Sequence, residues 1–193
     1  MGIEFELKYR ADRQTQALLR REFPGDEAVY QMESTYYDTA AGDFSRQRCT
    51  LRRRYENGRS ICTLKTPAAG HGRNEWEVEC DTIEAAVSEL CKLGIPEDLL
   101  SPAKAGLVPI CGARFTRIAK TLELPDCTVE LALDSGILMG GSRECPLEEA
   151  EIELKVGSEA VCAAFATKLA EIYGLVPEEK SKFLRALELA KGE

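Results

Sequence analysis

Apolar and polar residues alternate with a period of two along much of the chain, the pattern of strands whose two faces meet different surroundings. Residues 3–10 set Glu4, Glu6, Lys8 and Arg10 on one face and Ile3, Phe5, Leu7 and Tyr9 on the other. Similar alternation over 29–39, 49–55, 59–66, 74–80, 113–124, 127–136 and 148–157 predicts about eight strands. Asn57-Gly58 between two such runs predicts a tight hairpin, and Pro125-Asp126 predicts another. Asp12 reads as the N-cap of a helix carrying Ala17, Leu18 and Leu19 and stopped by Pro24-Gly25. Further helices are expected from Asp81 or Thr82 to about Leu93, over about 158–173 and over about 178–190. Residues 67–72 and 140–146 read as loops, and 94–110 as a turn-rich stretch with one short helix. Mostly antiparallel strands with a few helices make an α+β fold, a single domain over 1–193 built on a large sheet or barrel.

Composition narrows the classes of function. A length of 193 residues suits one domain with a substantial core, and 44% hydrophobic with 30% charged residues describes a soluble globular chain. The net charge of −8 argues against a general nucleic-acid or membrane-surface role. No apolar run approaches the roughly 20 residues of a membrane span, and the start of the chain, with Glu4 and Glu6, lacks a basic-then-apolar secretory segment. Eight scattered cysteines without a CxxC pair are expected to be reduced, in a cytoplasmic protein. A zinc site is not expected, because His71 is the single histidine and no cysteine pair has ligand spacing.

Candidate chemistry comes from asking which strands carry one kind of charge on one face. The 49–55 run places Arg52 and Arg54 together, opposite Leu51 and Arg53, and 59–66 places Thr63 with Lys65, opposite Cys62 and Leu64. The 74–80 run sets Glu75, Glu77 and Glu79 against Trp76, Val78 and Cys80. Glu130 and Asp134 share a face opposite Val129, Leu131 and Leu133, and Glu149, Glu151, Glu153 and Lys155 share one opposite Ala150, Ile152 and Leu154. Any one such face alone suits a solvated sheet. Grouped like charges repel unless something compensates them. Clustered carboxylates suit a hard divalent cation, and clustered Arg and Lys suit phosphate. Both clusters in one chain point to a metal–phosphate complex.

These residues resemble the CYTH superfamily, the triphosphate tunnel metalloenzymes. The resemblance lies in Glu4-x-Glu6-x-Lys8 as the ExExK motif, STYYDT at 34–39, Leu51-Arg52-Arg53-Arg54 and Thr63-Leu64-Lys65. It continues through Glu75-x-Glu77, VELALDSG at 129–136, EIELKVG at 151–157, and Ser181-Lys182 with Arg185, in family order over nearly the whole chain. The resemblance implies an eight-stranded antiparallel β-barrel with flanking helices and a charged interior that takes a small triphosphate with Mg²⁺ or Mn²⁺. It implies metal ligands Glu4, Glu6, Glu151 and Glu153, assisted by Asp134 and Glu130. Lys8, Arg52, Arg54 and Lys65 would grip phosphates, joined by Lys182 or Arg185. One of Arg114 and Arg117 would join them too; the two have opposite strand parity and Arg117 is favoured. The base for the attacking water is expected to be a glutamate, Glu6 or Glu153, or else Lys65. The ELKYR form of the first motif and the compact size resemble bacterial inorganic triphosphatases most. Thiamine triphosphatase, class IV adenylyl cyclase and a non-catalytic triphosphate-binding module are the alternatives. Oligomeric state is not legible. His71 is expected on a surface loop, Asp38 to fix a turn, and Trp76, Cys49, Cys62 and Cys80 in the core.

Overall fold

The computed structural model describes residues 2–67 and 73–192, with residues 2–4 described by their backbone alone. The expectations for His71 and for the Glu4 side chain lie outside the described residues. Ten strand segments appear: β1 (Gly2–Glu4), β2 (Glu6–Arg10), β3 (Ala28–Asp38), β4 (Thr50–Glu56), β5 (Arg59–Pro67), β6 (Arg73–Glu79), β7 (Val108–Leu124), β8 (Cys127–Gly140), β9 (Arg143–Gly157) and β10 (Val176–Pro177). The helices are α1 (Arg13–Glu22), α2 (Asp43–Arg46), α3 (Ile83–Lys92), α4 (Glu97–Leu100), α5 (Glu159–Tyr173) and α6 (Lys182–Lys191). The fold is α+β, as expected.

Local sequence explains the element ends. Asp12, Thr82, Ser158 and Ser181 each accept a hydrogen bond from a first-turn backbone N–H of α1, α3, α5 and α6. Asn57 and Gly58 both have positive φ, 48° and 88°, which matches the right-handed twist of the β4–β5 hairpin. Asp38 does fix a turn. It is buried, and its carboxylate accepts from the backbone N–H groups of Thr39, Phe44 and Ser45 and from the Ser45 hydroxyl.

All pairings are antiparallel, in the order β1-β6-β5-β4-β3-β7-β8-β9-β2-β10. The barrel expectation needs one correction, because the hydrogen-bonded ladder does not close. The run expected as one strand over 3–10 divides at Phe5: β1 pairs with β6 and β2 with β9. The two sides of the sheet are therefore joined by the chain at Phe5 rather than by a continuous ladder. The loop expected over 140–146 is also corrected. There β8 and β9 extend to a two-residue connection, Gly141-Ser142.

Three apolar clusters hold the sheet. Outside β2, β8 and β9, the residues Tyr9, Val129, Leu131, Leu133, Ala150 and Ile152 pack with Leu19 of α1 and Cys162, Ala166 and Leu169 of α5. Outside β4–β6, Leu51, Cys62, Leu64 and Trp76 pack with Phe44, Ile83, Leu90 and Leu100. These two clusters bury the faces opposite the charges. The third lies on the charged side: Met32, Tyr36, Ala113, Phe115, Leu138 and Leu147 meet Ala186 of α6, with Phe183 and Leu187 alongside. The inner face thus turns apolar where α6 enters. Gly140 permits that approach, since a Cβ there would lie 2.4 Å from Ala190 N and 2.5 Å from Ala186 O.

Candidate active site

Side chains from every strand β2 to β9 and from the start of α6 surround a cavity of about 370 Å³. Among the described residues, eight cations and seven carboxylates line it. Glu6, Lys8, Arg52, Arg54, Lys65, Arg117, Glu151, Glu153 and Lys182, all singled out in the sequence, are among them. Arg117 faces inward and Arg114 is exposed, as strand parity favoured.

On the β4–β6 wall, the carboxylate contacts of Arg52 are long, whereas Arg54 has one short one. Arg52 Nη2 donates to Thr63 Oγ1 at 3.2 Å and stands 3.8 and 4.0 Å from Glu77 and Glu75. Arg54 Nη2 lies 3.0 Å from Glu56 and 3.9 Å from Glu77. The buried Nε of each guanidinium has no hydrogen-bond partner among the described residues. Burial, with Arg52 adjacent, pushes the Arg54 pKa down. Lys65 Nζ is 3.3 Å from Glu75.

Across the cavity, register lines up carboxylates. Glu6 of β2 is directly opposite Glu153 of β9, which is directly opposite Glu130 of β8. Lysines accompany this row: Lys8 lies 3.1 Å from Glu6, and Lys155 lies 2.8 Å from Glu153 and 3.5 Å from Glu130. Three acids facing one another across adjacent strands supply oxygen ligands only, the donor set a hard cation such as Mg²⁺ or Mn²⁺ prefers. In the absence of a cation these lysines offset part of their repulsion.

A second acidic group sits deeper. Oxygens of Asp134, Glu149 and Glu151 lie within 4.8 Å of one another, a spacing that could hold a metal ion. The same carboxylates are tied to cations. Arg117 is bidentate to Asp134, with Nε donating to Oδ1 and Nη2 to Oδ2, both at 2.8 Å, and Nη2 also reaches Glu151. Lys182 Nζ lies 2.8 Å from Asp134 and 2.7 Å from Glu151, and it meets Glu149. Burial opposes the Glu151 charge, but Lys182 and Arg117 outweigh it and hold its carboxyl well below the usual range. Burial prevails at Glu149 and raises its pKa despite Lys182. For Lys182 itself, burial is outweighed by Asp134, Glu151 and Glu149, which raise it.

Arg185, expected among the phosphate ligands, does not line the cavity. One turn beyond Lys182 on α6, it reaches Glu149 and stands 3.8 Å from Glu178. Further features were not predicted as site elements. Glu149 and Glu178 neutralise Arg185, and Glu178 also accepts from Arg10 at 2.9 Å. Buried Gln16 of α1 donates to the carbonyl oxygens of Ala11, Asp134 and Glu149, tying helix to acidic strands. Tyr30, Met32, Tyr36, Phe115 and Phe183 give the cavity an apolar side. No charge alternation marks these last residues, although strand parity does for Tyr30, Met32, Tyr36 and Phe115.

All eight cysteines are free, and burial pushes the Cys111 thiol up to about 12 and those of Cys62 and Cys162 to about 11, so these three stay protonated packing groups. Among the described residues no helix is long and apolar enough to cross a membrane.

A sheet wrapped around interleaved cations and carboxylates, with a helix entering the inner face, is the setting of the candidate site. The CYTH domain model matches residues 2–187, and the chain belongs to that family. It is 30% identical over 129 residues to an inorganic triphosphatase of Haemophilus influenzae; the match covers 65% of this chain and 36% of that protein's length. Among solved structures, an adenylyl cyclase candidate from Hippeastrum, described as having a dominant triphosphatase activity, superposes with a TM-score of 0.65 at 19% identity over 98% of this chain and 96% of the other. The PH1819 protein of Pyrococcus horikoshii superposes with a TM-score of 0.61 at 25% identity, over 97% and 99%.

Proposed function

We propose that the chain hydrolyses inorganic triphosphate, with Mg²⁺ or Mn²⁺ as cofactor. The observation that carries this reading is the cavity of about 370 Å³ lined by eight cations and seven carboxylates, a charge pattern suited to phosphate and metal together. The similarity to an inorganic triphosphatase supports the same reading.

Arg52, Arg54, Lys65 and Lys8 bind the phosphate chain. The Nε atoms of Arg52 and Arg54, without a partner among the described residues, and the long carboxylate contacts of Arg52 leave donors available for phosphate oxygens, while Arg54 is also paired to Glu56 at 3.0 Å. Arg117 and Lys182, already paired to Asp134 and Glu151, contribute positive field at fixed positions. Glu6, Glu153 and Glu130, opposite one another in register, offer the oxygen ligands a hard divalent cation takes, with Glu4 of the same motif beside them in sequence. A cation held by these carboxylates would polarise a phosphoryl oxygen and offset charge developing on the phosphates. Asp134 and Glu151 serve chiefly to hold Arg117 and Lys182. A carboxylate of the cavity row, Glu6 or Glu153, takes the proton of the attacking water; Lys65, ion-paired to Glu75, acts as a donor. Phosphoryl transfer asks for little beyond such positioning and charge stabilisation.

The apolar side formed by Tyr30, Met32, Tyr36, Phe115 and Phe183 favours a second reading, in which the substrate carries an organic group, as thiamine triphosphate or ATP does. One panel separates them: tripolyphosphate, thiamine triphosphate and ATP, each with Mg²⁺ and with Mn²⁺. Phosphate release greatest from tripolyphosphate supports the first reading. Preference for an organic triphosphate, or formation of cyclic AMP, supports the second. Tight binding without turnover under both metals overturns both and leaves a binding module.

A further inference from the structure

The ion pairs around the cavity fall into two kinds. Arg117 and Lys182 have side chains 14% and 11% exposed and contact Asp134, which is 0% exposed. They are enclosed. Lys155, which lines the cavity, differs: its side chain is 39% exposed, while its partners Glu153 and Glu130 are 26% and 22% exposed. Register explains its position. Thr128 pairs with Val156 and Val129 with Leu154, so Lys155 is the extra residue of a bulge and has no partner on β8. A bulge re-aims a side chain. Here the ammonium reaches back over the row in which Glu130 and Glu153 face each other, contacting both.

We propose that Lys155 is an internal placeholder cation, occupying the Glu153–Glu130 carboxylates until a divalent metal displaces it toward solvent. This rests on the reading of the Glu6–Glu153–Glu130 row as a metal site and adds how that site is regulated. Without a counter-charge the facing carboxylates repel. With Lys155 the empty row is charge-compensated, and because the lysine is long, flexible and partly exposed, its release requires no rearrangement of the sheet. Lys182 cannot behave in this way, since three carboxylates surround its ammonium. The consequence is a metal affinity lower than the carboxylates alone would give.

The test measures Mn²⁺ binding without substrate, by calorimetry and by the electron paramagnetic resonance signal of free Mn²⁺. Wild type is compared with Lys155→Met, Lys155→Arg and, as a remote charge control, Lys92→Met, with thermal melts to confirm folding. Lys155→Met is expected to bind Mn²⁺ roughly tenfold more tightly, by removal of one positive charge adjacent to a divalent one. Lys155→Arg should stay near wild type and Lys92→Met should be unchanged. An affinity of folded Lys155→Met within twofold of wild type overturns the placeholder while leaving the metal site standing. Equal tightening by Lys92→Met also overturns it, since the effect would then be one of net charge. If neither wild type nor Lys155→Met binds Mn²⁺, or if Glu6→Gln and Glu153→Gln leave wild-type binding intact, the metal-site reading fails and the placeholder with it.

Discussion

Asp134→Asn probes the buried knot with little change of shape. Asp134 accepts two hydrogen bonds from Arg117 at 2.8 Å, and Lys182 Nζ stands 2.8 Å away, all around a side chain with no exposure. The substitution leaves two enclosed cations with one carboxylate fewer. Breaking a buried pair by removing one partner costs about 3–5 kcal/mol. Glu149 and Glu151 remain to compensate Lys182, and Glu151 remains for Arg117, so the lower end, about 3 kcal/mol, is expected. For a chain of this length that corresponds to a fall in Tm of roughly 6–12 °C. Urea unfolding followed by circular dichroism measures it, with m unchanged if the unfolded state is unaffected. Lys182→Met alone should also destabilise, and combining it with Asp134→Asn should recover about 1–3 kcal/mol relative to additivity. A cost below about 1 kcal/mol for Asp134→Asn, or additivity within about 0.5 kcal/mol, would show that these charges do not compensate each other as argued.

Four further outcomes follow from particular contacts. Glu6→Gln and Arg54→Ala should each lower phosphate release about 100-fold while the protein stays folded; full activity in both folded variants would remove these residues from the site. Glu151, its pKa depressed, contributes stability that is complete above the unfolded value of about 4.5 and is lost as pH falls through the folded value. Glu149, its pKa raised, contributes with the opposite sign, favouring the fold below about pH 4.5 and losing that contribution as pH rises through the folded value. Glu151→Gln should therefore flatten the acid limb of a Tm-versus-pH curve and cost more at pH 7 than Glu149→Gln; the reverse ranking would refute the assignment. Lys120→Met should cost about 1–3 kcal/mol in urea unfolding, because buried Lys120 donates to the terminal carbonyl oxygens of Arg20 and Phe23 and pairs with Glu27. Gly140→Ala should displace α6, lowering stability by about 1–3 kcal/mol and phosphate release with it, since its Cβ would meet the Ala186 and Ala190 backbone; an unaltered melt would show that α6 is not seated there as described.

Alternation was enough to group Glu6 with Lys8, Arg52 with Arg54, Glu75 with Glu77, and Glu151 with Glu153, because side-chain parity is a local property of an extended backbone. Caps and turns were legible for the same reason: Asp12, Thr82 and Asn57-Gly58 act within a few residues of themselves. Parity does not say which face is enclosed, nor which strands are neighbours. Only the folded chain places Glu6, Glu153 and Glu130 in one row, divides the first strand between β6 and β9 at Phe5, and sets α6 so that Lys182 borders the cavity while Arg185 lies behind it. Gln16 tying α1 to Asp134 and Glu149, across 118 and 133 residues of chain, belongs with these. Such features depend on contacts between residues distant in sequence, whose register is set by packing of the whole sheet rather than by the spacing of any one segment.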